Sequence, residues 1–140
     1  MKKSKLLIFP LLFFVLAVVS GCSKDDQFAI KVKSISTTYD AVNNCNNGLS
    51  TAFNFELEAK EAITQNIQSV KFDVKWENGT EINDLVESNV TVTGSMLTFA
   101  YCFNFITTNW VEVTVEIVDD NGVVISAPKT VRIQKPPGAN

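Results

Sequence analysis

Between residues 28 and 133, apolar residues recur at every second position, and this period constrains the fold more than any other feature of the chain. The runs cover residues 28–32, 53–57, 70–76, 90–92, 97–105, 111–117 and 131–133. A period of two places these side chains on one face of a β-strand, and most of them are of the β-branched or aromatic types that strands favour. The pattern therefore predicts seven strands, each with one buried face.

Short polar segments that contain glycine separate the runs. Asn78-Gly79 and Asn121-Gly122 are strong hairpin signals because both residues tolerate a positive φ. Residues 58–68 alone have helical character, and we interpret them as a loop with at most a turn or two of helix. Seven alternating strands of this kind predict an all-β domain over residues 28–135, a single immunoglobulin-like two-sheet antiparallel β-sandwich, followed by a tail at residues 136–140.

The first 21 residues have the pattern of a secretory signal peptide. Three lysines lie within residues 1–5, an apolar run broken only by Pro10 follows over residues 6–19, and the small residues Ser20 and Gly21 end it. This run is shorter than the roughly 20 apolar residues that a membrane-spanning helix needs. We therefore expect residues 1–21 to be removed on export.

The end of this segment, Val19-Ser20-Gly21-Cys22, resembles the lipobox of bacterial lipoproteins. In that family the cysteine thiol is diacylated, with fatty acids such as palmitate, and the chain is cut just before it. The resemblance implies lipidation of Cys22 and a lipidated tether over residues 22–27. Two or more acyl chains anchor a protein stably in a membrane. The alternative is an ordinary signal peptide that ends near a cysteine.

The next segment, Ser23-Lys24-Asp25-Asp26, resembles the export signal of surface-exposed lipoproteins in Bacteroidota. This implies an outer-membrane protein on the cell surface. The alternative is a polar tether that holds the domain on the periplasmic face.

Charge and composition exclude several functions. Removal of the three leader lysines from the 12 basic residues leaves nine against 15 acidic ones, a net charge of −6. Nucleic acid and anionic lipid surfaces need a basic footprint, so neither is an expected partner. The chain contains no histidine, which excludes a Ser-His-Asp or Cys-His nucleophilic site and a histidine-bound zinc or haem.

Two cysteines remain once Cys22 carries lipid. An even pair in an exported domain predicts a disulfide between Cys45 and Cys102. Cys45 is expected in the connection between the first two strands, and Cys102 near the end of the fifth. The two residues are too far apart in sequence for the close C-x-x-C spacing of redox-active pairs.

Other polar groups are weighed against simpler roles. Asp119, Asp120 and Asn121 are a weak calcium candidate, but we interpret them as turn residues and expect no metal or cofactor. The glutamates of the outward strand positions are interpreted as a solvated sheet face, and no enzyme activity is expected; they are Glu56, Glu58, Glu112 and Glu116.

Two further patterns have alternative interpretations. A polar segment surrounds Cys45 and is either a recognition loop or a connection held by the disulfide; it contains Asn43, Asn44, Asn46, Asn47 and Gly48. An aromatic series at strand spacing is interpreted as core, with a sugar-stacking platform as the less favoured alternative; it contains Phe99, Tyr101, Phe103 and Phe105.

Two segments look like parts of PKD-type modules. Residues 110–133 resemble the last two strands of that family, and residues 72–80 resemble its tryptophan-containing strand and turn. The family's aspartate-glycine turn appears here as Glu77-Asn78-Gly79. Fibronectin-III and transthyretin-like sandwiches fit nearly as well. The resemblance implies an extracellular interaction module.

These observations together predict a non-catalytic outer-membrane lipoprotein that acts as a surface-displayed binding or adhesion module. The expected partner is a glycan or a protein. The alternative is a periplasm-facing accessory, structural or inhibitor subunit of an envelope complex.

Overall fold

The computed structural model describes residues 27–45, 48–59, 64, 66–105 and 107–137. The predicted signal peptide, the lipidation site Cys22 and tether residues 22–26 lie outside these residues, as do residues 60–63 and 65 of the predicted loop. None of the described residues belongs to a helix capable of spanning a membrane.

The described chain contains eight strands arranged in two antiparallel sheets. The strands are β1 (Lys31–Cys45), β2 (Gly48–Glu58), β3 (Ile67–Trp76), β4 (Glu81–Glu87), β5 (Thr91–Thr93), β6 (Met96–Phe103), β7 (Trp110–Asp119) and β8 (Lys129–Gln134). One sheet has the order β1-β2-β6-β5 and the other β4-β3-β7-β8. The predicted all-β sandwich is confirmed.

The strand that the period of two does not reveal is β4, which raises the number from about seven to eight. It pairs with β3 alone, at the edge of its sheet, and the register shifts between Phe72 and Val74. Asp84 adopts a φ of 60° at this bulge, and its backbone N–H donates to Asp73 Oδ1 at 2.8 Å. Ile82 and Leu85, which pair with the buried Val74 and Phe72, are three positions apart because of the bulge, and this breaks the alternation that predicts a strand.

The first two strands are longer than predicted, and this changes the position of Cys45. Because β1 runs to Cys45 and β2 begins at Gly48, the cysteine ends a strand and does not lie in a long connection. The described residues of the polar segment around it, Asn43, Asn44 and Gly48, belong to strands, so its interpretation as a long connection between the first two strands is wrong. β1 is an edge strand, and its residues Ser36, Thr38 and Tyr39 are exposed, so this part of the sequence carries a weak periodic signal.

Stacked aromatic rings fill the space between the sheets. Phe53 of β2 lies against Phe99 of β6, with ring centroids 4.7 Å apart. Phe72 of the opposite sheet contacts Phe99 at 5.6 Å and Tyr101 at 5.0 Å, so the cluster joins the two layers. Phe103 is fully buried. Phe99, Phe103 and Phe105 are buried and the half-buried Tyr101 packs against them, so the aromatic series belongs to the core, as the favoured interpretation states.

The sandwich has two ends that differ in what they carry. At the end that we name the N-terminal end, Lys31 pairs with Glu58 and Ile30 N–H donates to the Ile125 carbonyl at 3.0 Å. The turns at Gly94 and Gly122 lie at this end. At the other, named the disulfide end, lie Cys45, Gly48, the turn between β3 and β4, and the connection between β6 and β7.

A buried serine holds the segment between β7 and β8 in place. Ser126 is fully buried, and its Oγ accepts the backbone N–H of Ile117 at 2.8 Å. The Ser126→Ala variant leaves this N–H unpaired in the core, which is expected to lower the free energy of unfolding by about 1–3 kcal/mol. The exposed Ser88→Ala control is expected to change it by less than about 0.5 kcal/mol. Equal values for the two variants in urea titration would contradict this role.

Candidate binding surfaces

A disulfide joins Cys45 at the end of β1 to Cys102 of β6, with the two Cα atoms 5.9 Å apart. This is the pairing predicted from the sequence. Because β2 lies between β1 and β6, the bond crosses the start of β2 and fixes all three strands to one another. Both cysteines are half-buried.

Gly48, the first residue of β2, makes room for this bond. A Cβ atom at position 48 would lie 2.6 Å from the Phe103 carbonyl oxygen and 2.8 Å from Cys102 Sγ. The first contact is with backbone, which has little freedom to move away. Gly48 is thus a structural requirement of the disulfide end. Sequence reasoning placed it in a polar loop, because the crossing strand is identified only once β6 is known to lie beside β2.

The Asn-Gly turn between β3 and β4 forms the next part of this end. Gly79 has a φ of 86°, and its N–H donates to the Trp76 carbonyl at 2.9 Å. Asn78 Oδ1 accepts the Thr80 N–H at 3.0 Å, which closes the turn. The predicted hairpin at Asn78-Gly79 is confirmed.

Hydrogen bonds connect this turn to the neighbouring segments. Trp76 Nε1 donates to the Asn104 carbonyl at 3.3 Å, and Asn109 N–H donates to Glu77 Oε2 at 2.7 Å. Lys135 N–H donates to the Asn109 carbonyl at 2.6 Å. The turn, the β6–β7 connection and the segment after β8 therefore form one connected surface.

A second surface is the outer face of the β4-β3-β7-β8 sheet, where charges alternate across the strands. Ion pairs join Lys71 to Asp84 at 2.6 Å, Lys75 to Glu81 at 2.8 Å and Arg132 to Glu112 at 2.6 Å. The Arg132 guanidinium also lies over the Trp110 ring, 4.2 Å from its centroid. An open groove of about 200 Å³ runs along this face; it is lined by Asp73, Val74, Lys75, Glu81, Asn83, Glu112 and Thr114.

The ion pairs raise the pKa of two exposed lysines on this face. The hydrogen bond and the charge of Asp84 raise the pKa of Lys71 above its ordinary 10.5, and Glu81 does the same for Lys75. A raised lysine pKa means that the pair contributes fully below the ordinary pKa and that its contribution is lost as pH rises through the folded-state value. Because both lysines are solvated, this contribution to stability is small.

Asp84→Asn is expected to return the pKa of Lys71 towards 10.5 and to leave that of Lys75 unchanged. Asparagine tolerates the positive φ of this position, so the bulge should persist. Glu81→Gln is the matched control and should lower only the pKa of Lys75. Titration of the lysine side chains by NMR gives both values, and a shift of both lysines in either variant would contradict the assignment of partners.

The outward glutamates do not form a single cluster. Glu56 and Glu58 lie in β2, whereas Glu112 and Glu116 lie in β7 of the opposite sheet. Glu56 lies 3.8 Å from Lys33, and Glu112 is paired with Arg132. Each set therefore lies on its own sheet face among cations.

The residues of the weak calcium candidate close the turn after β7. Asp119 Oδ1 accepts the N–H groups of Asn121 at 2.9 Å and Val123 at 2.8 Å. Asn121 Nδ2 donates to Asp120 Oδ1 at 2.9 Å, and Gly122 has a φ of 76°. Within the described ranges, no group of three or more acidic, cysteine or histidine side chains is arranged to hold a metal. These contacts agree with the interpretation as turn residues.

No protein-family model matches this chain, and no curated protein matches it significantly. Among solved structures, the chain is similar to Northeast Structural Genomics Consortium target SoR45, an X-ray structure, with 14% sequence identity and a TM-score of 0.40. The similarity covers 79% of this chain and 89% of that chain.

Proposed function

We propose that this protein is a non-catalytic outer-membrane lipoprotein, anchored through Cys22, whose β-sandwich is displayed on the cell surface and binds a glycan or a protein. The observation that carries the proposal is the Val19-Ser20-Gly21-Cys22 sequence, preceded by a basic and then an apolar segment. The acidic residues Asp25 and Asp26 after the cysteine support a surface position.

The fold supports a binding role through its rigidity. Connections on a rigid scaffold often carry recognition, because the scaffold fixes their position at little further cost in entropy. Here the disulfide and the bonds of Trp76 and Glu77 fix the connecting segments of one end. We also propose that the sandwich is of a PKD-like or fibronectin-III-like type. The resemblance of residues 72–80 and 110–133 to parts of PKD-type modules supports this type.

A binding experiment on whole cells tests the function. Cells that carry the gene and matched deletion cells are applied to immobilised glycans and to extracellular matrix proteins. We expect the first population to adhere to at least one surface and the deletion strain to lose that adhesion. Equal adhesion of both strains to every surface would contradict the proposal. A partner that co-purifies from detergent-solubilised envelope, with no surface adhesion, would favour the accessory-subunit alternative.

A further inference from the structure

We infer that the disulfide end of the sandwich is the recognition surface and that its ligand is a neutral, hydroxyl-rich glycan; this inference rests on the proposed function. The disulfide end lies at the opposite end of the sandwich from the proposed lipid anchor. Gln27, the first described residue, follows Cys22 by five residues, which span at most about 17 Å. The ten residues of β7 extend about 33 Å along the sandwich. A lipid at Cys22 therefore holds the N-terminal end near the membrane, and the disulfide end points away from it.

The exposed side chains at the disulfide end are mostly polar and uncharged. Most described exposed residues of the β3–β4 turn and the β6–β7 connection carry amides or hydroxyls; they are Asn78, Thr80, Asn104, Thr107 and Asn109. The charged Glu77 already accepts the Asn109 N–H. Amide and hydroxyl groups donate and accept hydrogen bonds without net charge, as the hydroxyls of a neutral sugar do.

A buried hydroxyl in the same connection supports this choice. Thr108 is 4% exposed, and the described residues supply no hydrogen-bond partner for its Oγ1. Burial of a polar group without a partner is unfavourable, so the connection carries an unused hydrogen-bonding group between the exposed Thr107 and Asn109. A hydroxylated ligand that enters between these side chains would supply the missing partner.

The other surfaces fit a neutral glycan less well. At the N-terminal end, the turn after β7 exposes Asp120 beside the half-buried Asp119 and lies close to the anchor. On the outer face of the β4-β3-β7-β8 sheet, the groove-lining Lys75, Glu81 and Glu112 are already in ion pairs, which a neutral ligand would have to displace.

Arginine substitutions at the two ends test the inference on the full-length lipoprotein in detergent micelles. Thr80→Arg combined with Thr107→Arg places bulk and charge on the disulfide end. Ser95→Arg combined with Asn121→Arg is the matched control at the N-terminal end. The probes are immobilised neutral hexose and N-acetylhexosamine oligosaccharides, with sulfated and sialylated glycans and matrix proteins in parallel. If the melting temperature of the Thr80→Arg, Thr107→Arg variant differs from that of the wild type, the single Thr107→Arg variant replaces it.

We expect the disulfide-end variant to lose at least about tenfold in affinity for the neutral glycan, and the control to change by less than about twofold. Loss of affinity only in the control variant would show that the recognition surface lies at the N-terminal end and not at the disulfide end. Binding of wild type only to charged glycans or to matrix proteins would overturn the ligand class while leaving the proposed function standing. Failure of the wild-type protein to bind any probe, together with equal cell adhesion with and without the gene, would overturn both.

Discussion

Cys22→Ala is expected to abolish the incorporation of labelled fatty acid into the protein and to remove it from the detergent-rich phase in detergent partitioning. In the proposed function this thiol carries the acyl chains, and alanine offers no nucleophilic sulfur. A lipid anchor with two or more chains holds a protein on the membrane stably, so its loss should be complete and not partial. Metabolic labelling with an alkyne fatty acid measures the effect directly.

The chain provides a matched control for this experiment. The double variant Cys45→Ala, Cys102→Ala also removes two sulfur atoms, yet it should retain the fatty-acid label at the wild-type level. In the wild type these two cysteines are joined in the disulfide, so neither is expected to carry lipid. If Cys22→Ala keeps the label and partitions like wild type, the lipoprotein assignment is wrong. Loss of the label in the Cys45→Ala, Cys102→Ala variant would show that the lipid is carried by Cys45 or Cys102 and not by Cys22.

Removal of the disulfide is expected to lower the free energy of unfolding by about 4 kcal/mol. The bond connects residues 57 positions apart, and on the chain-entropy model a loop of this length gives a contribution of that size. Urea unfolding of wild type and of the Cys45→Ala, Cys102→Ala variant gives the difference. Thiol labelling of the unreduced, denatured wild-type protein, with Cys22 lipidated, should detect no free thiol. Two labelled thiols would contradict the bond.

Gly48→Ala extends this test to the strand that the bond crosses. In the oxidised protein the new Cβ meets both the Phe103 carbonyl and Cys102 Sγ, whereas in the variant without cysteines only the carbonyl contact remains. The substitution should therefore destabilise both proteins, and the oxidised one more. Such non-additivity is expected of groups in contact, with a coupling of about 0.5–3 kcal/mol. Equal losses in the two backgrounds would show that the bond does not pass over Gly48.

The sequence predicts those parts of the fold whose strands are covered on one face. The buried residues of β7 alternate from Val111 to Ile117, because this part of the strand has one face in the core, so its position follows from the period of two. The edge strand β4 is not predicted by the period of two, since the bulge at Asp84 breaks the period and most residues of β4 are exposed. Residues 33–39 of β1 are not predicted as strand for a related reason, since β1 is an edge strand and most of these residues are exposed.

Only part of the candidate surface at the disulfide end can be predicted from the sequence. The cysteine pair and the Asn78-Gly79 turn are predictable because each is a local signal with a known geometric requirement. The role of Gly48 and the bonds of Trp76 to Asn104 and of Glu77 to Asn109 depend on which strand ends meet at one end of the sandwich. Spacing in the chain carries no information of that kind until the sheet order is known.

The most direct test of the central claim is the accessibility of the domain on intact cells. Protease shaving is combined with antibody labelling of unpermeabilised cells, because a compact β-sandwich can resist a protease even when it is exposed. A periplasmic protein serves as the control for envelope integrity. We expect antibody to label the intact cells, with or without cleavage by the protease, while the periplasmic control stays unlabelled and uncut. Protection from both antibody and protease, with labelling only after permeabilisation, would contradict this expectation and place the domain on the inner side of the envelope.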